Sequence, residues 1–227
     1  MSPTLADFLD LRFATQAPMP TQAFSQRLGA VLAFCAMRWK CTPSAITALG
    51  LLSSLAGSIV YATVEGVIGA ITALLFYQLG YAFDCADGQL ARATQQTSNY
   101  GAWLDVACDH LRNVSLTAAV TLTLAQPQHL PFEAVVLSTS LMLAGLTQSL
   151  HTSTVLRAIT RETLPPPRAG MTRALITSAM DTPILLLGIV LLRDLTDVLF
   201  IYAGAMGAGY IVVSSAVALR RMRRNVP

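Results

Sequence analysis

Four aspartates lie close together in a sequence that otherwise carries few charges. Asp84 and Asp87 are three residues apart, and Asp105 and Asp109 are four residues apart. Each spacing puts both carboxylates of a pair on one face of a helix. Carboxylate oxygens are the ligands that Mg²⁺, Mn²⁺ and Ca²⁺ prefer, and they suit zinc poorly. The pattern therefore predicts a site for one or two divalent cations between two consecutive helices.

The surroundings of these aspartates are apolar, so their charge is costly. The chain of 227 residues is 54% hydrophobic and 12% charged, whereas a soluble domain averages about 25% charged residues. An aspartate in a membrane-spanning helix costs roughly 2.5–3.5 kcal/mol. Without counter-charges, the four carboxylates would repel one another and take up protons. Arg92 and Arg112 can balance at most two of them, and a bound cation would balance the remainder.

Apolar runs recur along most of the chain, which predicts an all-α, polytopic membrane protein. Six of these runs approach the length of about 20 mostly apolar residues that a spanning helix needs. They lie near Ser44–Val64, Gly66–Asp84 (continuing to about Arg92), Gly101–Ala125, Phe132–Ala158, Ala174–Leu192 and Val198–Leu219. Pro183 lies inside the fifth run and predicts a kink there.

The segment from Phe24 to Lys40 precedes the first run and is only half apolar. Its apolar residues include Phe24, Leu28, Val31, Leu32 and Cys35, whose spacing fits one helical face. We expect an interfacial amphipathic helix that lies on the membrane, with a short seventh span as the alternative. The predicted organisation is an N-terminal segment over 1–40, a six-helix domain over 41–220 and a basic tail over 221–227.

The lysines and arginines predict the orientation. Thirteen of the fifteen fall before the first span, between the second and third, between the fourth and fifth, or after the sixth. The positive-inside rule then puts both termini and the loop between the aspartate pairs on the cytoplasmic side. Arg193 alone falls in a loop on the other side.

The aspartates belong to a longer pattern. Asp84, Asp87, Gly88, Ala91 and Arg92 are followed, after eight residues, by Gly101, Asp105 and Asp109. This pattern resembles the signature of the CDP-alcohol phosphotransferases, and every fixed position matches. Pro43 and Thr47 also match a stretch at the start of the family's first span, with Ser44 in place of the usual Asn.

The resemblance implies a role for each matching residue. Asp84, Asp87 and Asp105 would be metal ligands, and Asp109 would be the catalytic base with a possible second-metal contact. Gly88, Ala91 and Gly101 would line the cytidine pocket, with Pro43 and Thr47 nearby, and Arg92 would steady the pyrophosphate. The implied cofactor is Mg²⁺ or Mn²⁺, and the implied assembly is a homodimer in the membrane.

The implied reaction moves a substituted phosphate group from a CDP-linked donor to an alcohol in phospholipid biosynthesis. Phosphatidyl transfer from CDP-diacylglycerol is the first expectation, and transfer from a CDP-linked small alcohol to a lipid hydroxyl is the alternative. Arg112, Arg157 and Arg161 weakly favour an anionic acceptor, although the positive-inside rule alone explains most such arginines. No nucleic-acid partner is expected.

Two other classes of membrane protein also use intramembrane carboxylates. A prenyltransferase binds pyrophosphate through Mg²⁺, but its acidic motifs lie far apart in sequence, whereas both pairs here fall in one helical hairpin. A cation transporter would carry its acids near the bilayer midplane and often repeats its fold. The sequence has no visible repeat.

Overall fold

The computed structural model describes residues 4–11, 24–126, 130–159 and 182–224, and these residues form helices without strands. The helices are α1 (Leu5–Leu11), α2 (Gln26–Arg38), α3 (Pro43–Thr63), α4 (Gly66–Ala93), α5 (Asn99–Ala125), α6 (Phe132–Ile159), α7 (Thr182–Leu191) and α8 (Thr196–Arg224). The predicted all-α class is confirmed for this part of the chain. The observed helix ends of α3, α4 and α6 lie within one residue of the predicted ends.

Local sequence signals explain where α3 and α5 begin. Thr42 caps α3 by accepting the amide of Ala45 at 3.3 Å, and Pro43 occupies the first turn, where its missing N–H is no loss. Ser98 caps α5 by accepting the amide of Gly101 at 3.0 Å. Gln95, with φ at 57°, turns the chain between α4 and α5. The predicted polar turn therefore joins the two aspartate-bearing helices.

Helices α3 and α4 form a closely packed antiparallel hairpin, and α5 packs on α3. A Cβ added at Gly80 would lie 2.9 Å from the carbonyl oxygen of Gly50, so these backbones cross almost in contact. Tyr77 donates a hydrogen bond to the hydroxyl of Ser58 at 3.0 Å. Ser58 lies 3.0 Å from the hydroxyl of Ser115 on α5. Small residues and this buried hydroxyl cluster fix the relative positions of the three helices.

Helices α6 and α8 form a second pair. A Cβ added at Gly145 would clash with the backbone of Gly207, so these helices also cross at glycines. Helix α7 packs on both α4 and α8. Pro183 lies near the start of the described helix, where proline is tolerated. Residues 174–181, with which the predicted fifth span begins, lie outside the described residues.

Helix α2 occurs where an amphipathic helix was predicted, but it packs through a different face. Its buried residues are Gln26, Gly29, Ala30, Ala33 and Ala36. A Cβ on Gly29 would lie 2.8 Å from the Cβ of Cys85 on α4. Phe24 and Val31, which were predicted to share the apolar face, are exposed. The small residues favour this arrangement because they allow α2 to approach the α4 backbone closely. An interfacial position remains a prediction.

The hairpin end opposite the aspartates is closed by Arg193. Its side chain is buried and donates to the carbonyl oxygen of Val64, just after α3 ends. The guanidinium carbon lies 5.1 Å from the ring centroid of Tyr61, whose hydroxyl donates to the carbonyl oxygen of Ile189 at 3.0 Å. Gly66, with φ at 74°, adopts the left-handed backbone conformation needed at this turn.

Four helices in the described residues are long and apolar enough to cross a membrane. These candidate spans are Pro43–Thr63, Gly66–Ala93, Phe132–Thr152 and Thr196–Leu219. Large apolar side chains face outward on the first two, including Leu52 at 61% exposure and Ile68 at 79%. Such surfaces suit lipid rather than water. Helix α5 carries several charges and only ten residues of α7 are described, so the predicted count of six spans is not established.

Candidate active site

Helices α4 and α5 bring three of the four aspartates together. Asp84, Asp105 and Asp109 each offer a carboxylate oxygen, and these oxygens lie within 4.8 Å of one another. The side chains of Asp84 and Asp109 are 20% and 26% exposed. Asp84 is nine residues before the end of α4 and Asp109 is ten residues after the start of α5. At about 1.5 Å per residue, both lie roughly 14–15 Å along their helices from the connecting turn.

Asp87 is held separately, by the first turn of α3. The hydroxyl of Thr47 lies 2.5 Å from Asp87 Oδ2 and 3.1 Å from the carbonyl oxygen of Pro43. A hydroxyl has one proton to donate, and the shorter distance favours donation to Asp87. Asp87 is 7% exposed and Thr47 is 5% exposed. This contact joins α3 to the aspartate pair of α4.

Arg112 bridges the two aspartate helices. Its Nη2 lies 3.0 Å from Asp84 Oδ1 on α4, and its Nη1 lies 3.2 Å from Asp109 Oδ1 on α5. Its side chain is 12% exposed. Both terminal nitrogens of the guanidinium are therefore paired with carboxylates of the predicted metal site.

The small residues of the motif leave space beside these acids. A Cβ on Gly88 would lie 3.2 Å from Arg92 Nη1, so the guanidinium of Arg92 covers Gly88. The end of a flexible side chain can move away, and the space above Gly88 can then open. A Cβ on Gly101 would lie 3.3 Å from the hydroxyl of Ser98. Ala91, on the same face of α4 as Gly88, is half-buried.

The carboxylate arrangement fits an all-oxygen divalent cation. Opposite ligands of an octahedral Mg²⁺ are separated by roughly 4.2 Å, since each bond is about 2.1 Å long. A spread of up to 4.8 Å among Asp84, Asp105 and Asp109 needs only small side-chain movements to reach that geometry.

Comparison with known proteins identifies the family. The family model described as CDP-alcohol phosphatidyltransferase matches residues 40–218. The chain belongs to the CDP-alcohol phosphatidyltransferase family. A phosphatidylinositol phosphate synthase of Mycobacterium marinum is 32% identical to it over 97 residues, which are 43% of this chain and 40% of that protein. The chain therefore spans less than half the length of this curated relative.

Family membership confirms the resemblance inferred from the aspartate motif and supports the predicted enzyme class, a transferase of substituted phosphate groups. Proteins of this family use CDP-alcohol donors and alcohol acceptors in membranes, with a divalent metal. The match favours this class over the prenyltransferase and the transporter that the carboxylates alone left open. The apolar helices agree with an integral membrane protein.

Two cavities are lined in part by residues of α5, and neither lining includes any of the four aspartates. A cleft of about 420 Å³ between α5 and α6 is lined by His110, Ser140, Leu143, Ala144, Thr147, Gln148 and His151. His110 follows Asp109 directly and is therefore turned about 100° away from it around the helix. A smaller cavity of about 40 Å³ includes Arg112, Asn113 and Tyr81 in its lining.

One contact was missed by the sequence interpretation, and two predicted residues lie at least partly outside the described residues. The bond between Thr47 and Asp87 gave no local signal, because 40 positions separate the residues. Arg112 lies three residues after Asp109 on the same helical face and was predicted both to balance an aspartate and, weakly, to contact the acceptor; the structure pairs it with aspartates. The side chain of Arg157 and the whole of Arg161 lie outside the described residues.

Proposed function

We propose that this protein transfers a phosphatidyl group from CDP-diacylglycerol to an alcohol and releases CMP. The observation that carries the proposal is the cluster of Asp84, Asp105 and Asp109, whose oxygens lie within reach of one cation. This cluster belongs to a chain whose family match covers residues 40–218. Mg²⁺ or Mn²⁺, bound as one or two ions, would neutralise charge on the donor pyrophosphate.

The protein's own residues would divide the remaining work. Asp84, Asp87 and Asp105 would hold the cation, and Thr47 would orient Asp87 through the contact at 2.5 Å. Gly88, Ala91 and Gly101 would leave room for the cytidine, with Pro43 beside them at the start of α3. Arg92 would leave its position over Gly88 and pair with the pyrophosphate.

Asp109 would act as the base. It would take the hydroxyl proton of the acceptor while the alcohol oxygen forms a bond to the β-phosphorus. The bond between that phosphorus and the bridging oxygen would break, and CMP would leave with the electron pair. A direct displacement balances atoms and charge, so no covalent enzyme intermediate is required.

The membrane setting suits a lipid donor. The acyl chains of CDP-diacylglycerol would remain among the apolar side chains that face outward, and its head group would reach the acids between α4 and α5. We place this end of the bundle, together with both termini, on the cytoplasmic side, because thirteen of the fifteen lysines and arginines are assigned there. We also propose that the protein is a homodimer, on the basis of its family.

We propose an anionic alcohol, with inositol phosphate as the first to test. The relative from Mycobacterium marinum is named for phosphatidylinositol phosphate, and four arginines lie between 157 and 173 on the proposed acceptor side. Arg157 and Arg161 remain candidates for contact with the acceptor phosphate. Arg112 is a weaker candidate than the sequence suggested, since its terminal nitrogens are paired with Asp84 and Asp109.

A panel of acceptors tests the proposal. Purified protein in mixed micelles with Mn²⁺ and CDP-diacylglycerol is given inositol phosphate, glycerol 3-phosphate, inositol or serine, and CMP release is measured. We expect release with a phosphorylated alcohol at a rate well above that with inositol or serine. Release with uncharged inositol alone would overturn the anionic acceptor.

The reverse arrangement is tested in parallel, with CDP-choline or CDP-ethanolamine and diacylglycerol. Release only in this arm would replace the proposed donor with a CDP-linked small alcohol. Failure of every donor and acceptor pair, with protein that still binds Mn²⁺, would refute the transferase proposal.

A further inference from the structure

The positively charged guanidinium of Arg112 lies among the acids of α4 and α5. Its two terminal nitrogens contact carboxylates from different helices, Asp84 at 3.0 Å and Asp109 at 3.2 Å. Asp84 and Arg112 are separated by 28 positions, so this ion pair depends on the folded arrangement of α4 and α5. Arg112 thus links the α4 aspartate pair to the predicted base.

The position of Arg112 argues against contact with the acceptor. The side chain is 12% exposed, and both terminal nitrogens point to carboxylates of the site. An acceptor phosphate would have to compete with two carboxylates for this guanidinium. Such an exchange would give up two charge-assisted hydrogen bonds.

The guanidinium and a cation can share the same carboxylates. Arg112 contacts Oδ1 of Asp84 and Oδ1 of Asp109, so each contact engages one oxygen of its carboxylate. A planar guanidinium holds its two terminal nitrogens at a fixed separation, so it sets the relative positions of two carboxylates more firmly than a point charge does. The same positive charge repels any divalent cation that binds these acids.

We propose that Arg112 is a positioning residue, which holds Asp84 and Asp109 in register across α4 and α5 and weakens cation binding at the same acids. The expected change in kcat rests on the proposed function, whereas the expected change in Mn²⁺ affinity does not. The ion pairs fix Asp84 relative to Asp109, and the charge of Arg112 keeps the cation exchangeable. Arg112 acts through Asp109 and does not touch the reacting atoms.

The first test is Mn²⁺ binding by the purified full-length protein without substrate, measured from the electron paramagnetic resonance signal of free Mn²⁺. We expect Arg112→Gln to bind Mn²⁺ at least fivefold more tightly than the wild type, because a repelling charge has gone. Arg112→Lys keeps the charge, so its dissociation constant is expected to stay within threefold of the wild type. Arg193→Gln is the matched control and should leave Mn²⁺ affinity unchanged. It removes a buried arginine at the turn between α3 and α4, far from the aspartates.

The second test is kinetic. Both Arg112 variants are expected to lose at least tenfold in kcat, because neither side chain holds the two carboxylates as a planar fork does. The KM for the acceptor is expected to change by less than threefold. A selective rise in that KM, with kcat and Mn²⁺ affinity unchanged, would overturn the proposal in favour of acceptor binding.

Other outcomes are equally decisive. Unchanged or weaker Mn²⁺ binding by Arg112→Gln would refute the electrostatic part of the proposal. Should Arg112→Gln fail to fold, Arg112→Lys decides the matter, because positioning predicts a lower kcat at wild-type Mn²⁺ affinity. The Mn²⁺ measurement needs no substrate, so it remains informative even when the proposed donor and acceptor are wrong.

Discussion

Thr47 and Asp87 form a buried hydrogen bond at 2.5 Å between the first turn of α3 and the aspartate pair of α4. Thr47 lies on α3, which carries none of the four aspartates, so this bond ties Asp87 to a third helix. A carboxylate buried without such a donor is costly, because hydrogen bonds to charged groups contribute about 1.5–3 kcal/mol.

Thr47→Val removes this hydroxyl with little change in volume. We expect kcat/KM for CMP release to fall roughly ten- to a hundredfold, because the lost bond no longer orients Asp87. Thr47→Ser is the matched control and should stay within threefold of the wild type. Equal activity of the valine and serine variants would show that the hydroxyl has no such role.

Asp109→Asn removes the proposed base and keeps the size of the side chain. We expect CMP release to fall about 10²–10⁴-fold, the usual contribution of a positioned base, while binding of a CDP-linked ligand is retained. Asp194→Asn, at an exposed position between α7 and α8, should leave the rate unchanged. Wild-type turnover by Asp109→Asn would remove the assignment of the base.

Metal removal should abolish CMP release, and added Mn²⁺ or Mg²⁺ should restore it. Asp105→Asn removes one of the three clustered carboxylates, so we expect the Mn²⁺ concentration for half-maximal activity to rise at least about tenfold. Asp87→Asn is expected to have a smaller effect, since that carboxylate contacts Thr47. Full activity in the presence of excess chelator would contradict the metal site.

Gly88→Ala tests the space proposed for the cytidine. The added Cβ meets only the guanidinium of Arg92, at 3.2 Å, and that flexible end can shift. We therefore expect Tm in detergent to be preserved while the KM for the CDP-linked donor rises at least fivefold. A lower Tm with an unchanged KM would indicate a packing role for Gly88 instead.

Gly80→Ala tests the close crossing of α3 and α4. Alanine favours a helix by about 1 kcal/mol over glycine, but the added Cβ would lie 2.9 Å from the carbonyl oxygen of Gly50. We expect net destabilisation of about 1–3 kcal/mol, observed as a lower Tm in detergent. Gly204→Ala is the control, because its Cβ meets the rotatable hydroxyl of Ser138 at 3.1 Å. A Tm for Gly80→Ala at or above the wild-type value would contradict the close crossing.

The sequence by itself determined the helices and the aspartate faces. Helical periodicity and capping act over a few residues, so the spacing of Asp84 and Asp87, and of Asp105 and Asp109, was enough to put each pair on one face. Thr42 and Ser98 fixed helix starts for the same local reason. The motif also carried the family, which the match over residues 40–218 confirmed.

The tertiary structure decided which groups meet across helices. Asp87 contacts Thr47, 40 positions away in sequence, and Asp84 contacts Arg112, 28 positions away. Local spacing contains no information about such contacts. Helix α2 also turned its small residues, rather than its large apolar ones, toward α4, because only Gly29 and its neighbours permit the close approach to Cys85. The close approach of the helix backbones therefore decides which side chains meet the aspartates, and the periodicity of the sequence does not encode that approach.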